Sequence, residues 1–92
     1  MQKIKTFKKD EKFQIELDAN QSTGYSWYFK KNSNFEIIEQ KYIEPKTNLL
    51  GAGGKQIFIL KANKTGVFDL IFEYKRVNEK TGDIKTITIK IE

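Results

Sequence analysis

Asp18, Glu73 and Asp83 each fall near the end of an expected strand, and two carboxylates flanking one bond are the equipment of a glycoside hydrolase. A chain of 92 residues makes one domain, 1–92, with no second domain to enclose a sugar. That chemistry is therefore set aside. Cysteine and histidine are absent. Their absence excludes thiol nucleophiles, Ser-His and Cys-His pairs, thiolate or imidazole zinc sites, His-ligated haem and a disulfide framework. It also leaves no side chain whose ordinary pKa lies between about pH 5 and 8, so net charge should hardly change across that window. What remains for catalysis is carboxylates, lysines, tyrosines and a few hydroxyls.

The 17 basic residues exceed the 12 acidic ones, for a net charge of +5. Such an excess suits nucleic acid or an anionic membrane. All the basic residues except Arg76 are lysine, however, whereas base readout and bidentate phosphate clamps favour the planar guanidinium fork. The lysines form no aligned stripe and read as solvated faces of a β structure. Neither nucleic acid nor a membrane is expected as a partner, and the apolar runs are far too short to span a bilayer. The alternative is a small basic β-module that binds single-stranded nucleic acid or an acidic protein through Lys30, Lys31 and exposed aromatics, with a steep dependence on salt.

The elements that must position any binding residues alternate with period two. Phe13, Ile15 and Leu17 alternate with Lys12, Gln14, Glu16 and Asp18. Tyr25, Trp27 and Phe29 form an aromatic face, with Trp27 in the role of a sandwich-core tryptophan. Residues 35–43 lack clean periodicity before Pro45 and read as an edge strand or an irregular crossing. Residues 56–62 place Phe58 and Leu60 on one side and Ile57 and Ile59 on the other, a strand covered on both faces. In residues 67–75, Phe68, Leu70, Phe72 and Tyr74 point inward, with Ile71 the exception. Ile87, Ile89 and Ile91 mark a last strand, and a short first strand falls near Ile4 to Phe7. About seven antiparallel strands in so short a chain predict an all-β, immunoglobulin-like β-sandwich, with a small Greek-key barrel as its rival.

Three connections depart from plain turn chemistry: Asn20-Gln21-Ser22-Thr23-Gly24-Tyr25, Leu49-Leu50-Gly51-Ala52-Gly53-Gly54, and Tyr74-Lys75-Arg76-Val77-Asn78. The glycines of the second favour a loop, and it lacks the Gly-Lys-Ser/Thr ending of a phosphate loop. In an immunoglobulin-like order all three emerge at one end, where a rigid scaffold can present them to a partner.

These segments resemble those of the chagasin-type inhibitors of papain-like cysteine peptidases. That family has Asn-Pro-Thr-Thr-Gly-Tyr/Phe leading into a strand with Trp, then Gly-x-Gly-Gly often after Leu-Leu, then Arg-Pro-Trp/Phe. Asn20, Thr23, Gly24, Tyr25 and Trp27 match the first, Leu49 to Gly54 the second, and Arg76 the third. Gln21 and Ser22 replace Pro and Thr, and Val77 and Asn78 replace Pro and the aromatic. The resemblance implies a reversible, non-covalent inhibitor rather than an enzyme, with no metal or cofactor, and a monomer whose partners are papain and cathepsin L-like enzymes. Ser22-Thr23-Gly24 would lie across the catalytic pair, with Gly24 allowing close approach and Thr23 offering a hydroxyl. Leu49 to Gly54 would bind one flank and Arg76 with its neighbours the other, the first two loops being the principal contacts. Residues 1–9 hold no apolar signal region, which fits a cytosolic protein or a mature exported domain. Asn20-Gln21-Ser22 and Asn63-Lys64-Thr65 are glycosylation sequons, and a glycan on Asn20 would obstruct the first loop.

Overall fold

Strict alternation has its expected result in β2 (Lys12–Ala19), where Phe13, Ile15, Leu17 and Ala19 are buried and the residues between them exposed. The computed structural model describes residues 4–20, 23–44, 53–80 and 82–92. Its other strands are β1 (Lys5–Phe7), β3 (Ser26–Phe29), β4 (Phe35–Ile43), β5 (Gly54–Ala62), β6 (Gly66–Lys75) and β7 (Asp83–Ile91). They form two sheets, one in the order β1-β7-β6-β3 and the other β2-β5-β4. This is the expected all-β sandwich.

The inner faces meet in a core with no buried polar or charged residue among those described. β2, β4 and β5 contribute Phe13, Ile15, Leu17, Phe35, Phe58, Leu60 and Ala62, and β6 and β7 contribute Leu70, Phe72, Ile89 and Ile91. Phe58 and Phe72 are fully buried and meet across the sheets, ring centroids 5.1 Å apart. Burying one such side chain is worth about 1.5–3 kcal/mol.

Three departures from the sequence expectation, and one irregularity that it anticipated, stand out. Not every pairing is antiparallel: β1 runs parallel to β7, with Lys5 opposite Ile89 and Phe7 opposite Ile91. β4 lacks periodicity because its register against β5 shifts between Ile37 and Glu39, and the irregularity interrupts the inside–outside alternation. It is an edge strand, as its composition suggested. Gly54 belongs to strand rather than loop, because the carbonyl of Ile43 and the ring of Tyr42 occupy the space a Cβ would need. Trp27 is half-buried and packs against the core rather than lying within it, because β3 is an edge strand near the loop end.

The two-sided character expected of residues 56–62 is present. Ile57 is buried on the outer face of β5, directly opposite Glu16 on one neighbouring strand and Lys41 on the other.

Candidate functional site

The strand registers bring the three connections to one pole. Ala19 at the end of β2 lies opposite Gly54 at the start of β5, and Ile43 at the end of β4 lies opposite Lys55. In the other sheet Ser26 pairs with Lys75 and Tyr74 with Asp83. The β2–β3, β4–β5 and β6–β7 connections therefore share an end of the sandwich.

In the β2–β3 connection, the N–H and hydroxyl of Thr23 both donate to the Asn20 carbonyl, at 3.2 and 2.8 Å. The same hydroxyl accepts the N–H of Tyr25 at 3.3 Å. Thr23 thus braces its own loop, a role the sequence reading did not assign to it. Gly24 follows at φ +81°, a left-handed conformation that L side chains disfavour. Thr23 and Gly24 are exposed, while Tyr25 is half-buried.

Of the β4–β5 connection, Gly53 is exposed and packs closely against β2: a Cβ there would come within 3.4 Å of the Ala19 carbonyl oxygen. Leu49, Leu50, Gly51 and Ala52, like Gln21 and Ser22 of the first loop, lie outside the described residues.

The β6–β7 connection begins with a closed turn. Glu79 donates its N–H to the Arg76 carbonyl at 3.0 Å, and its carboxylate accepts the Arg76 N–H at 3.4 Å. Val77 and Asn78 sit outward on this turn, Val77 with 79% of its surface exposed. Gly82 is required near the start of β7, since a Cβ would collide with the carbonyl of Tyr74 and come within 2.7 Å of the Lys75 Cβ.

A column of rings joins the first and third connections. The Arg76 guanidinium lies 4.9 Å from the Tyr25 ring centroid, Tyr25 stacks on Tyr74 at 5.4 Å and 24°, and Tyr74 contacts Trp27 at 4.8 Å. The Tyr74 hydroxyl oxygen accepts the Asn20 N–H at 3.3 Å, tying the column to the start of the first loop. Beneath it, the Trp27 indole N–H donates to the Asp18 carbonyl at 2.9 Å. The Gln56 side-chain amide pairs with both the N–H and the C=O of Trp27, each at 2.8 Å. Gln56 thereby satisfies backbone groups that an edge strand would leave open and ties one sheet to the other.

Tyr74 and Gln56 were not singled out as site residues from the sequence. Tyr74 read as an inward residue of a regular strand and as the opening residue of the third connection, without a contact role of its own. The available signal was a tyrosine closing that strand just before Arg76, with Tyr25 and Trp27 at the start of another. For Gln56 it was a polar residue immediately before the apolar run Ile57-Phe58-Ile59-Leu60.

Hydrolytic chemistry finds no support in the placement of the carboxylates. Asp18 points outward from β2 and pairs with Lys55 at 3.7 Å, whereas Glu73 points outward from β6 on the other sheet and pairs with Lys75 at 3.6 Å. Packed sheets stand about 10 Å apart, so the two lie across the full sandwich from each other. Among the described residues no cluster of acidic residues could hold a metal ion. Lys30 and Lys31 lie on the β3–β4 connection, and Tyr28 is the one aromatic among the described residues that is largely exposed. The Lys75 ammonium already sits over the Tyr28 ring at 5.5 Å, so an aromatic platform for bases is not assembled there.

Comparison with known proteins agrees with this architecture. Residues 6–91 match the sequence profile of the Chagasin family peptidase inhibitor I42. Chagasin of Trypanosoma cruzi is 33% identical over 69 residues, a match covering 68% of this chain and 63% of chagasin, less than two thirds of that relative's length. The fold is similar to that of the cysteine protease inhibitor EhICP2 of Entamoeba histolytica, with a TM-score of 0.76 and 21% identity over 97% of this chain and 86% of that one. The solution structure of Amebosin gives a TM-score of 0.67 with 26% identity, covering 95% of this chain and 84% of that one. PbICP-C, solved in complex with falcipain-2, gives 0.62 with 18% identity, covering 97% and 86% of the two chains. With the profile matching residues 6–91 and the β2–β3, β4–β5 and β6–β7 connections leaving the same pole, the chain belongs to the chagasin family of peptidase inhibitors.

Proposed function

We propose that this protein is a monomeric, reversible, non-covalent inhibitor of papain-like cysteine peptidases that covers their active-site cleft with its loop pole. The observation that carries this reading is the meeting of the three family-matching connections, through the Asn20–Tyr74 hydrogen bond, the Arg76–Tyr25 contact and the approach of Gly53 to Ala19. Asn20, Gln21, Ser22, Thr23, Gly24 and Tyr25 form the segment that enters the cleft. Leu49, Leu50, Gly51, Ala52 and Gly53 bind one flank, Gly54 being buried at the start of β5, and Arg76, Val77 and Asn78 border the other.

Inhibition of this kind needs no reactive group on the inhibitor. Papain-like enzymes bind extended peptide and present one carbonyl to a thiolate. A backbone held left-handed at Gly24, with Thr23 braced against Asn20 and Tyr25, departs from the extended form of a substrate and fills the cleft without offering a peptide bond in line for attack. Enclosure matters more than chemistry, so affinity should concentrate in a few loop residues.

The test is titration of papain and a cathepsin L-like enzyme with a fluorogenic peptide substrate, with a serine peptidase as control. Sub-micromolar, reversible inhibition of the cysteine enzymes alone is expected, with the inhibitor recovered uncleaved and Thr23→Ala weaker. Absence of inhibition of both cysteine enzymes, or recovery of a cleaved chain, would overturn the reading.

A further inference from the structure

Arg76 is the single arginine of the sequence, and at the rim of a binding surface its evident use is to meet a carboxylate of the target. The structure gives it a different occupation. Its guanidinium lies over the Tyr25 ring at 4.9 Å, and its Nε is 4.0 Å from the position a Cβ on Gly24 would take. The side chain therefore runs along the flank of the first loop rather than outward. Both backbone groups of Arg76 are held by Glu79, which fixes where the side chain starts. The Glu79 carboxylate is engaged by the Arg76 backbone N–H, and no ion pair of the guanidinium occurs among the described residues.

Beyond Tyr25 the contacts continue in a closed path. Tyr25 stacks on Tyr74, the Tyr74 hydroxyl holds the Asn20 N–H, and Asn20 and Tyr25 are the two ends of the first loop. Arg76 is the outer lid of that path. A planar cation on a ring face is attractive and keeps water off the ring, and the ring below it is already fixed.

Building on the inhibitor reading, we propose that Arg76 is a positioning residue: it clamps Tyr25 and so holds Thr23, Gly24 and Tyr25 in place at the end of the first loop, rather than binding a carboxylate of the peptidase. The third connection then offers the target an apolar tip, Val77, in place of a cation. A loop already in its bound shape loses less freedom on binding, which is where the affinity gain arises.

The experiment compares R76K, R76A, Y25L and the double variant R76A/Y25L with the wild type. Inhibition of papain is measured at about 0.05 and 0.5 M salt, a span over which exposed ion pairs are strongly screened. The free proteins are compared by amide relaxation and ring-current shifts at Thr23, Gly24 and Tyr25. The expected result is a loss of roughly three- to thirtyfold in R76A, the range of a cation–π contact. R76K should fail to restore it, and the double variant should be no worse than the weaker single one. The R76A loss should persist at high salt, and the free R76A loop should be measurably looser while the thermal midpoint stays near the wild type.

Full activity of R76K, an R76A loss that vanishes at high salt, additive losses in the double variant, or an unchanged free loop in R76A would each overturn the proposal. The relaxation measurement needs no peptidase, so the clamp stands or falls on it even if papain is not inhibited. Failure of the inhibitor reading is thus distinguishable from failure of the clamp.

Discussion

The centre of the sandwich and its loop pole are both built on aromatic rings, and the two use them differently. At the centre Phe58 and Phe72 have no solvent exposure and no polar atom to satisfy. At the pole the rings are half-buried, and Tyr74 and Trp27 each direct a polar atom into a specific hydrogen bond. Packing at the centre is judged by volume, because dispersion and water exclusion have little directional preference. At the pole it is judged by direction: a tyrosine hydroxyl or an indole N–H must meet its partner at the right distance and angle. The centre therefore governs whether the chain folds. The pole governs which loop shape the folded chain presents.

That division can be broken or sharpened by substitution. The largest effect belongs to Phe72→Ala, which should cost about 3–5 kcal/mol by leaving a cavity between the sheets, read as a lower denaturation midpoint in urea. Inhibition per folded molecule should stay at the wild-type value, and a parallel loss of affinity would dissolve the distinction between the regions. Gln56→Leu comes next. It removes both hydrogen bonds to the Trp27 backbone, and leaving those groups unpartnered should cost about 1–3 kcal/mol. Because Gln56 stands between core and pole, this variant should lose stability and inhibition together, whereas loss of stability alone would assign it to the centre. The smallest effect is expected for Lys64→Gln, an exposed residue in the β5–β6 turn, within about 0.5 kcal/mol in unfolding and unchanged in inhibition.

The parts of this architecture that depend on a single strand's own pattern were legible before any coordinates. The alternation of Phe13, Ile15 and Leu17, and of Phe68, Leu70 and Phe72, names an inner face without knowledge of the partner strand. The order of the three connections was legible through Thr23-Gly24-Tyr25, the Gly51–Gly54 run and Arg76. What escaped depends on two strands at once. The irregularity between Ile37 and Glu39 is a property of pairing with β5, and Gly54 is buried because Tyr42 and Ile43 crowd it from a neighbouring strand. The column from Arg76 to Trp27 escaped for the same reason: its members come from a loop, a strand end and a turn, and only the β3–β6 register places Trp27 beside Tyr74. From the sequence, Arg76 was a loop charge that the family resemblance placed beside the target, and Tyr74 an inward strand residue; in the structure both meet the Tyr25 ring.

The parallel pairing of β1 with β7 bears on how the molecule comes into being. Lys5 can find Ile89 only after nearly the whole intervening chain exists, and β7 also supplies Ile89 and Ile91 to the core. A nascent chain stalled on the ribosome before those isoleucines would have a four-stranded sheet without its second strand, and β1 with nothing to join. Contacts so distant along the sequence make for folding on the order of milliseconds to seconds rather than microseconds. The molecule should therefore reach its working form only once β7 has been made, in a late and concerted closure.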